Sequence, residues 1–506
     1  MEASKRIIKN TIYLYIKTGI TLFIWLYTTR VILNSLGATD FGIYNVVGGA
    51  IGLLGFLNAT MATTIQRFLN YEEAKKDIIR QRTIFNIGLI FHFVIALILV
   101  IIFISLYYLL FNGILNIPED RYFAAKIIYF CLVTSTVFTV LTVPYDAVIN
   151  SHENMLYYSI IGVFENILKL VVAIIIMHTT YDKLVMYGVL MSVIPFISLS
   201  LMRYYCHKKY DECKINPKKY YEKDLAKSII KFAGWNFVGT SSSVVGNHGI
   251  NIVLNHFFGA AINTAAGIAS QIQGQLLVLS NNMLKALNPV LAKEEGAGNT
   301  NNLLKYSING CKYSYFLFAI FAIPFFIETP YLLKIWLGDV PQWGILFVRL
   351  QLIRGLLEGF TMPLKKTLEA KGQIKQYNIA VFVLNLVPII LLSILYTIGL
   401  DPYWHYIIAI MFMVVIVDAI KVYYCKLYCQ LNLKVLANVV FLPCTLITIL
   451  AFIMGIIPTV ICEMSFIRLI LTTILTTIII LYGIYNTLNI SEKDILKLYL
   501  SKILKR

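Results

Sequence analysis

The chain has 506 residues, 58% of them hydrophobic and only 14% charged, and its formal net charge is +17. Soluble domains run at about 45–50% apolar and about 25% charged, so this composition, with a mean hydropathy of +0.75, excludes an ordinary soluble domain. The positive charge does not require a nucleic-acid partner, because its distribution between loops gives it another use.

The polar, basic start Met1-Glu-Ala-Ser-Lys-Arg6 leads into a long apolar run with no small-residue cleavage site, so no removable signal peptide is expected. Fourteen spans long enough to cross about 30 Å of hydrocarbon follow. Their limits are 11–36, 40–69, 84–111, 123–146, 157–178, 184–205, 228–257, 262–291, 306–329, 342–364, 378–399, 404–428, 437–457 and 467–489. After them, Ser491-Glu-Lys-Asp494 has capping-box spacing. Ile495, Leu496, Tyr499, Leu500, Ile503 and Leu504 then share one face, which predicts a short amphipathic helix on the membrane surface.

An even span count puts both termini on one side. The loops and ends on that side hold 31 Lys and Arg, nine of them in 203–231, against five on the other: Arg121, Lys126, Lys183, Lys334 and Arg468. The positive-inside rule therefore places both termini in the cytoplasm, with the basic loops against anionic lipid. The outer loops are all short. That argues against a membrane glycosyltransferase or polymerase, which needs a large loop or domain over its substrate. The eight cysteines are scattered and mostly apolar in setting, and Cys206-His207 with Cys213 matches no zinc spacing. No metal site and no phosphate-binding P-loop are expected.

The halves resemble each other. Val31-Ile-Leu-Asn34 then Leu36-Gly37-Ala38 matches Ile252-Val-Leu-Asn255 then Phe258-Gly259-Ala260. Thr142-Val-Pro144-Tyr145 matches Thr361-Met-Pro363-Leu364, with Tyr158 and Asn166 against Tyr377 and Asn385. The separation in sequence is almost the same for every matched pair. Six spans per half make parallel repeats, related by an axis along the membrane normal, with a transport site expected where they face each other. The expected fold class is thus an all-α polytopic membrane protein with two six-helix lobes and two extra C-terminal helices. Its parts are an N-terminal lobe at 1–206, a basic linker at 207–227, a C-terminal lobe at 228–430, an extra, lipid-facing helix pair at 431–489 and a tail at 490–506. Pro144 and Pro363 would kink or end their helices.

Charges within spans are costly, at about 2.5–3.5 kcal/mol near a helix centre, so they should face a cavity or a partner. The candidates are Lys17, Arg30, Glu165, Lys169, Lys285, Lys312, Arg349, Arg354, Glu358, Asp418 and Lys421. Glu165 with Lys169, Arg354 with Glu358 and Asp418 with Lys421 have in-helix spacing for simple pairing. Arg30, Lys285 and Arg349 lack such a partner. Lys17 and Lys312 are placed to snorkel. Spans 7 and 8 are rich in amides and hydroxyls, including Asn251, Asn255 and Gln271. They are expected to line the cavity, with polar glue between helices as the plainer reading.

The stretch Thr29-Arg30 through Gly48-Gly49, with Ala62-Thr63-Thr64-Ile65-Gln66-Arg67-Phe68, resembles the start of Wzx-type polysaccharide and O-antigen flippases of the multidrug/oligosaccharidyl-lipid/polysaccharide (MOP) exporter superfamily. The resemblance implies a transporter, not an enzyme. It implies movement of undecaprenyl-pyrophosphate-linked oligosaccharide repeat units to the outer leaflet of a bacterial cytoplasmic membrane, for O-antigen, capsule or exopolysaccharide. Implied partners are that substrate, membrane lipids, and polymerase or chain-length machinery, with no nucleic acid. No cofactor is implied beyond coupling to H+ or Na+ and the membrane potential. An excess of cations suits a pyrophosphate, so the expected binding residues are Arg30, Lys285, Arg349, Arg354 and Lys169, with Asn34, Asn255, Asn251 and Gln271 for sugar hydroxyls. A lipid II-type or multidrug exporter of the same superfamily is the alternative. A drug exporter would want a carboxylate in span 1, which here holds only Lys17 and Arg30.

Overall fold

A computed structural model describes residues 2–52, 55–109, 111, 119–488 and 493. The expected amphipathic tail, Lys493 apart, lies outside the described residues. Among the described residues there are helices and turns and no strand.

By compactness the chain divides into residues 8–237 and residues 1–7 with 238–506. The helices are, in order, α1 (Glu2–Gly52), α2 (Gly55–Ala74), α3 (Ile78–Leu109), α4 (Tyr122–Ser151), α5 (Met155–His178), α6 (Lys183–Lys209) and α7 (Lys223–Gly296). There follow α8 (Thr300–Ile327), α9 (Thr329–Leu337), α10 (Gly344–Gly359), α11 (Met362–Lys371) and α12 (Lys375–Thr397). Last come α13 (Trp404–Ala409), α14 (Val417–Cys429), α15 (Leu433–Leu436), α16 (Leu442–Ile461) and α17 (Phe466–Thr487). One π-helical segment joins α13 to α14 and another joins α15 to α16.

Nine stretches among the described residues are long and apolar enough to cross a membrane. The most apolar window, in α3, is only 33% buried. Its exposed Phe93, Leu97, Ile98, Ile101 and Ile104 make an outward face suited to lipid, the reverse of a soluble helix. The other expected spans fall in α1, α2, α7 and α10, so a count of fourteen is compatible with these elements.

Two glycines mark the repeat. α1 is broken at Gly37, with φ 77° and ψ 170°, and α7 at Gly259, with φ 77° and ψ −177°. This conformation is essentially restricted to glycine. The two sites are equivalent positions within the matched segments. A Cβ at either would meet nothing within 4 Å, so the requirement is one of backbone conformation, not of space. Gly37→Ala and Gly259→Ala are each expected to cost about 1–3 kcal/mol, read as a lowered midpoint of thermal unfolding in detergent. A second contact recurs at equivalent positions of the two halves. The Cys206 thiol reaches the Tyr145 carbonyl at 3.8 Å, and the Cys425 thiol reaches the Leu364 carbonyl at 3.5 Å.

The prolines behave differently in the two halves. Pro144 lies inside the continuous α4, whereas Pro363 sits in the first turn of α11, after a break at Phe360–Thr361. The first turn is where a missing N–H costs least.

The basic segment after α6 is stapled to the N-terminal unit. Asn86 Nδ2 donates to the Lys214 carbonyl at 2.9 Å, and the Asn216 N–H donates to Asn86 Oδ1 at 2.9 Å. His152, at the end of α4, adds a clamp. Its Nε2 meets Glu212 and its Nδ1 lies 3.2 Å from Glu73, while its ring stacks on Tyr210 with centroids 4.2 Å apart. Burial disfavours the charged ring, but hydrogen bonds to Glu212 and Glu73 outweigh it and push the pKa up to about 9. A raised pKa means the clamp stabilises fully below the ordinary histidine value of about 6.5 and is lost as pH rises through 9. The expected loss is on the order of 3 kcal/mol between those limits. His152→Gln should abolish that segment of the stability–pH curve.

Candidate functional site

Each unit holds its own cavity. The one in the C-terminal unit is about 550 Å³. On α10, Gln351, Arg354 and Glu358 share a face by their spacing of three and four residues and all line it. Arg354 is 9% exposed. Its Nε donates to Glu358 Oε1 at 3.0 Å and its Nη2 to Asn247 Oδ1 at 3.1 Å. On α14, Lys421 Nζ donates to Asp418 Oδ1 at 2.7 Å and to Thr361 Oγ1 at 2.9 Å. Lys365 of α11 lines the same space, and no carboxylate among the described residues pairs with it within 4 Å. Three cations thus face two carboxylates, and among the described residues only Lys365 of the three lacks a partner carboxylate.

Another stretch of the wall is polar but uncharged. Gln351 Nε2 donates to Gln273 Oε1. A pair of amides joined by one hydrogen bond keeps one whole NH2 group and one carbonyl in reserve. Both residues are nine-tenths buried or more, as are His405 and Tyr406 beside them. Gln351 Oε1, Gln273 Nε2, His405 Nδ1 and the Tyr406 hydroxyl have no hydrogen-bond partner among the described residues. This wall can donate to and accept from a hydroxylated ligand.

The cavity of the N-terminal unit, about 490 Å³, is lined by Lys17, Asp146, Tyr158, Glu165 and Lys169 with several hydroxyl side chains. Its wall matches the other in one fixed register. Leu132, Ser135, Thr139, Val143, Asp146, Tyr158, Gly162, Ile194, Ser198 and Met202 stand for Gln351, Arg354, Glu358, Met362, Lys365, Tyr377, Val381, Met413, Val417 and Lys421. The repeat therefore built two cavities with one frame and different charge.

The residues singled out in the sequence distribute as follows. Arg354 and Asn251 line the C-terminal cavity, and Lys169 lines the N-terminal one. Arg349 turns instead to the Phe326 carbonyl, 3.1 Å from its Nε. Lys285 is partly buried on α7, outside both linings, and Asn34, Asn255 and Gln271 are exposed. The side chain of Arg30 lies outside the described residues. Neither expected snorkel forms. Lys17 enters the N-terminal cavity, and Lys312, 1% exposed, donates to the Thr487 carbonyl at 2.8 Å. Lys365 was missed, because it reads as one of four loop lysines. Its place two residues after Pro363, with Asp146 two residues after Pro144, was the available signal.

Residues 7–293, more than half of the chain, match a model of the family described as polysaccharide biosynthesis protein. The chain belongs to that family. The family is one of flippases within the MOP superfamily. No curated protein matches this member of it. Among solved structures, a MATE transporter in complex with MaD3S shares the fold at TM-score 0.71 and 13% identity, over 85% of this chain and 96% of that one. An outward-facing multidrug resistance MATE family transporter of the MOP superfamily aligns at TM-score 0.69 and 14% identity, over 86% and 97%. A MOP superfamily transporter from Pyrococcus furiosus, described as having a binding pocket of reversed polarity, aligns at 0.69 and 14%, over 85% and 96%. The polysaccharide biosynthesis family member described here thus has the fold of the MATE transporters and is a multi-pass membrane protein.

Proposed function

We propose that this protein moves undecaprenyl-pyrophosphate-linked oligosaccharide repeat units from the cytoplasmic to the outer leaflet of a bacterial cytoplasmic membrane. Both termini would be cytoplasmic, and no covalent chemistry would be done by this chain. The observation that carries the reading is the C-terminal cavity, where Arg354, Lys365 and Lys421 face Glu358 and Asp418. A net positive wall in a low-dielectric setting favours an anion, and a pyrophosphate is one. The uncharged stretch at Gln351, Gln273, His405 and Tyr406 suits the hydroxyls of the attached sugar. Outward movement of an anion across an inside-negative membrane is also downhill, by about 2.3 kcal/mol per charge per 100 mV. The membrane potential would then drive export directly.

The test is depletion of the protein in its own cells, followed by assay of lipid-linked sugars. Complete repeat units trapped on the inner leaflet are expected, with rescue by the wild type but not by Arg354→Ala that inserts normally. Trapped lipid II would assign the alternative substrate. Normal lipid-linked sugars with altered drug sensitivity would overturn the reading. Flipping in proteoliposomes that continues unslowed after collapse of the potential would exclude direct electrical drive.

A further inference from the structure

We propose that Lys17 is a tethered cation. It supplies from within the chain the positive charge that Asp146 and Glu165 of the N-terminal cavity would otherwise take from solution as a free ion.

The cavity lies within the N-terminal unit and carries two cations, Lys17 and Lys169, and two carboxylates, Asp146 and Glu165. Lys169 follows Glu165 by one turn of α5 and is placed to neutralise it. Asp146 has no such neighbour, and its Oδ1 is buried with no hydrogen-bond partner among the described residues. Lys17 reaches in from α1. Its Nζ lies 4.0 Å from the centre of the Tyr158 ring, and the charges of Asp146 and Glu165 both act on that same tyrosine. The ammonium therefore rests on the ring, in a cavity that both carboxylates also line.

A glycine makes this position possible. Gly162 is one turn beyond Tyr158, and a Cβ there would stand 2.2 Å from Lys17 Cε and 2.5 Å from Lys17 Nζ. Any side chain at 162 would push the ammonium out of its seat.

The other half of the repeat supplies an internal comparison. The positions matching Lys17, Asp146 and Gly162 are Val238, Lys365 and Val381. Carboxylate, tethered lysine and accommodating glycine are all replaced together. This is expected if the three form one device and unexpected if Lys17 only snorkels. Physically, carboxylates within a membrane-embedded cavity require countercharge. A free cation would pay translational entropy and dehydration on each entry, whereas a tethered one is held at high effective concentration.

The test uses the purified full chain in nanodiscs, with thermal unfolding followed in NaCl and in choline chloride at equal ionic strength, from pH 5 to 9. The titratable groups facing Lys17 are Tyr44 on its own helix, Cys131 and Asp146 of α4, and Tyr158, Glu165 and Lys169 of α5; the lining residues of α2 and α6 include none. The wild type is expected to be indifferent to sodium. Lys17→Ala should acquire either a sodium-dependent rise in unfolding temperature or a stability maximum moved by about one unit toward acid, as a solution cation takes the seat. Gly162→Ala, which keeps the lysine but displaces it, should do the same, and Asp146→Asn added to either should remove the gain. A wild type already stabilised by sodium in a manner that Asp146→Asn abolishes would overturn the proposal. So would a Lys17→Ala protein matching the wild type in both sodium and pH response. Neither result depends on which lipid-linked sugar is carried.

Discussion

Arg468→Ala is expected to lower the stability of the C-terminal unit by about 3–5 kcal/mol, the usual consequence of leaving a buried charge without its partner. Glu328, between α8 and α9, is fully buried. Its carboxylate receives Arg468 Nε at 3.0 and 3.2 Å, Arg468 Nη2 at 2.7 Å and the Thr472 hydroxyl at 3.1 Å. Deleting the guanidinium leaves the carboxylate one hydroxyl and no cation. Replacing both partners, as Glu328→Leu with Arg468→Leu, should instead fall within about 1 kcal/mol of the wild type or above it, because no charge then remains to be desolvated. Thermal unfolding of the two single variants and the double variant gives the coupling directly. A single-variant loss under about 1 kcal/mol would show that water reaches Glu328. The pair also redefines the last two helices. Their outward faces carry exposed Leu446, Ile449, Ile453, Ile474 and Ile478, as expected for a lipid-facing pair. Their inward faces are fixed to α8 by Arg468, by Lys312 on the Thr487 carbonyl and by Tyr315 on the Thr448 hydroxyl at 2.7 Å.

Which features were readable in advance follows from how local their causes are. Span length and apolar composition are local, so the helices and the repeat could be read directly, and Gly37 and Gly259 were visible as matched residues before their backbone conformation was known. In-helix pairs were legible for the same reason. Arg354 with Glu358 and Lys421 with Asp418 both form at the spacing expected. Glu165 and Lys169 share a cavity wall without closing to 4 Å. Long-range pairing was not legible. Arg121 and Arg468 counted as two of the five outer-loop cations, yet Arg121 binds Asp40 and Asp182, and Arg468 binds Glu328 across from a different helix. Composition cannot distinguish such a cation from one facing solvent. The same blindness hid Lys365 among loop lysines and Lys17 as a snorkel, since both depend on which helix lies opposite.

Lys365→Met and Lys421→Met should separate transport from folding. Lys421 is 8% exposed and bonded to Asp418 and Thr361, so its loss strands a carboxylate and is expected to cost about 3–5 kcal/mol of stability. Lys365 makes no ion pair with a carboxylate among the described residues. Its charge is buried and is repelled by Lys366 and Lys421, which together with burial outweigh the attraction of Glu369, so on removing it the unfolding temperature should hold or rise. If Lys365 is the cation held open for the anionic end of a substrate, its contribution is one charge-assisted hydrogen bond, about 1.5–3 kcal/mol. Transport should then fall by about 10- to 100-fold while the protein stays folded. Lys365→Arg should keep most of the rate, because the charge and the donors remain. The measurement is flipping of lipid-linked sugar in proteoliposomes, normalised to correctly inserted protein. Undiminished flipping by a stable Lys365→Met protein would remove the C-terminal cavity from the substrate path and reduce its charges to a structural network. A stable protein with lost flipping would make Lys365, and not the bonded pairs around it, the element that meets the anion.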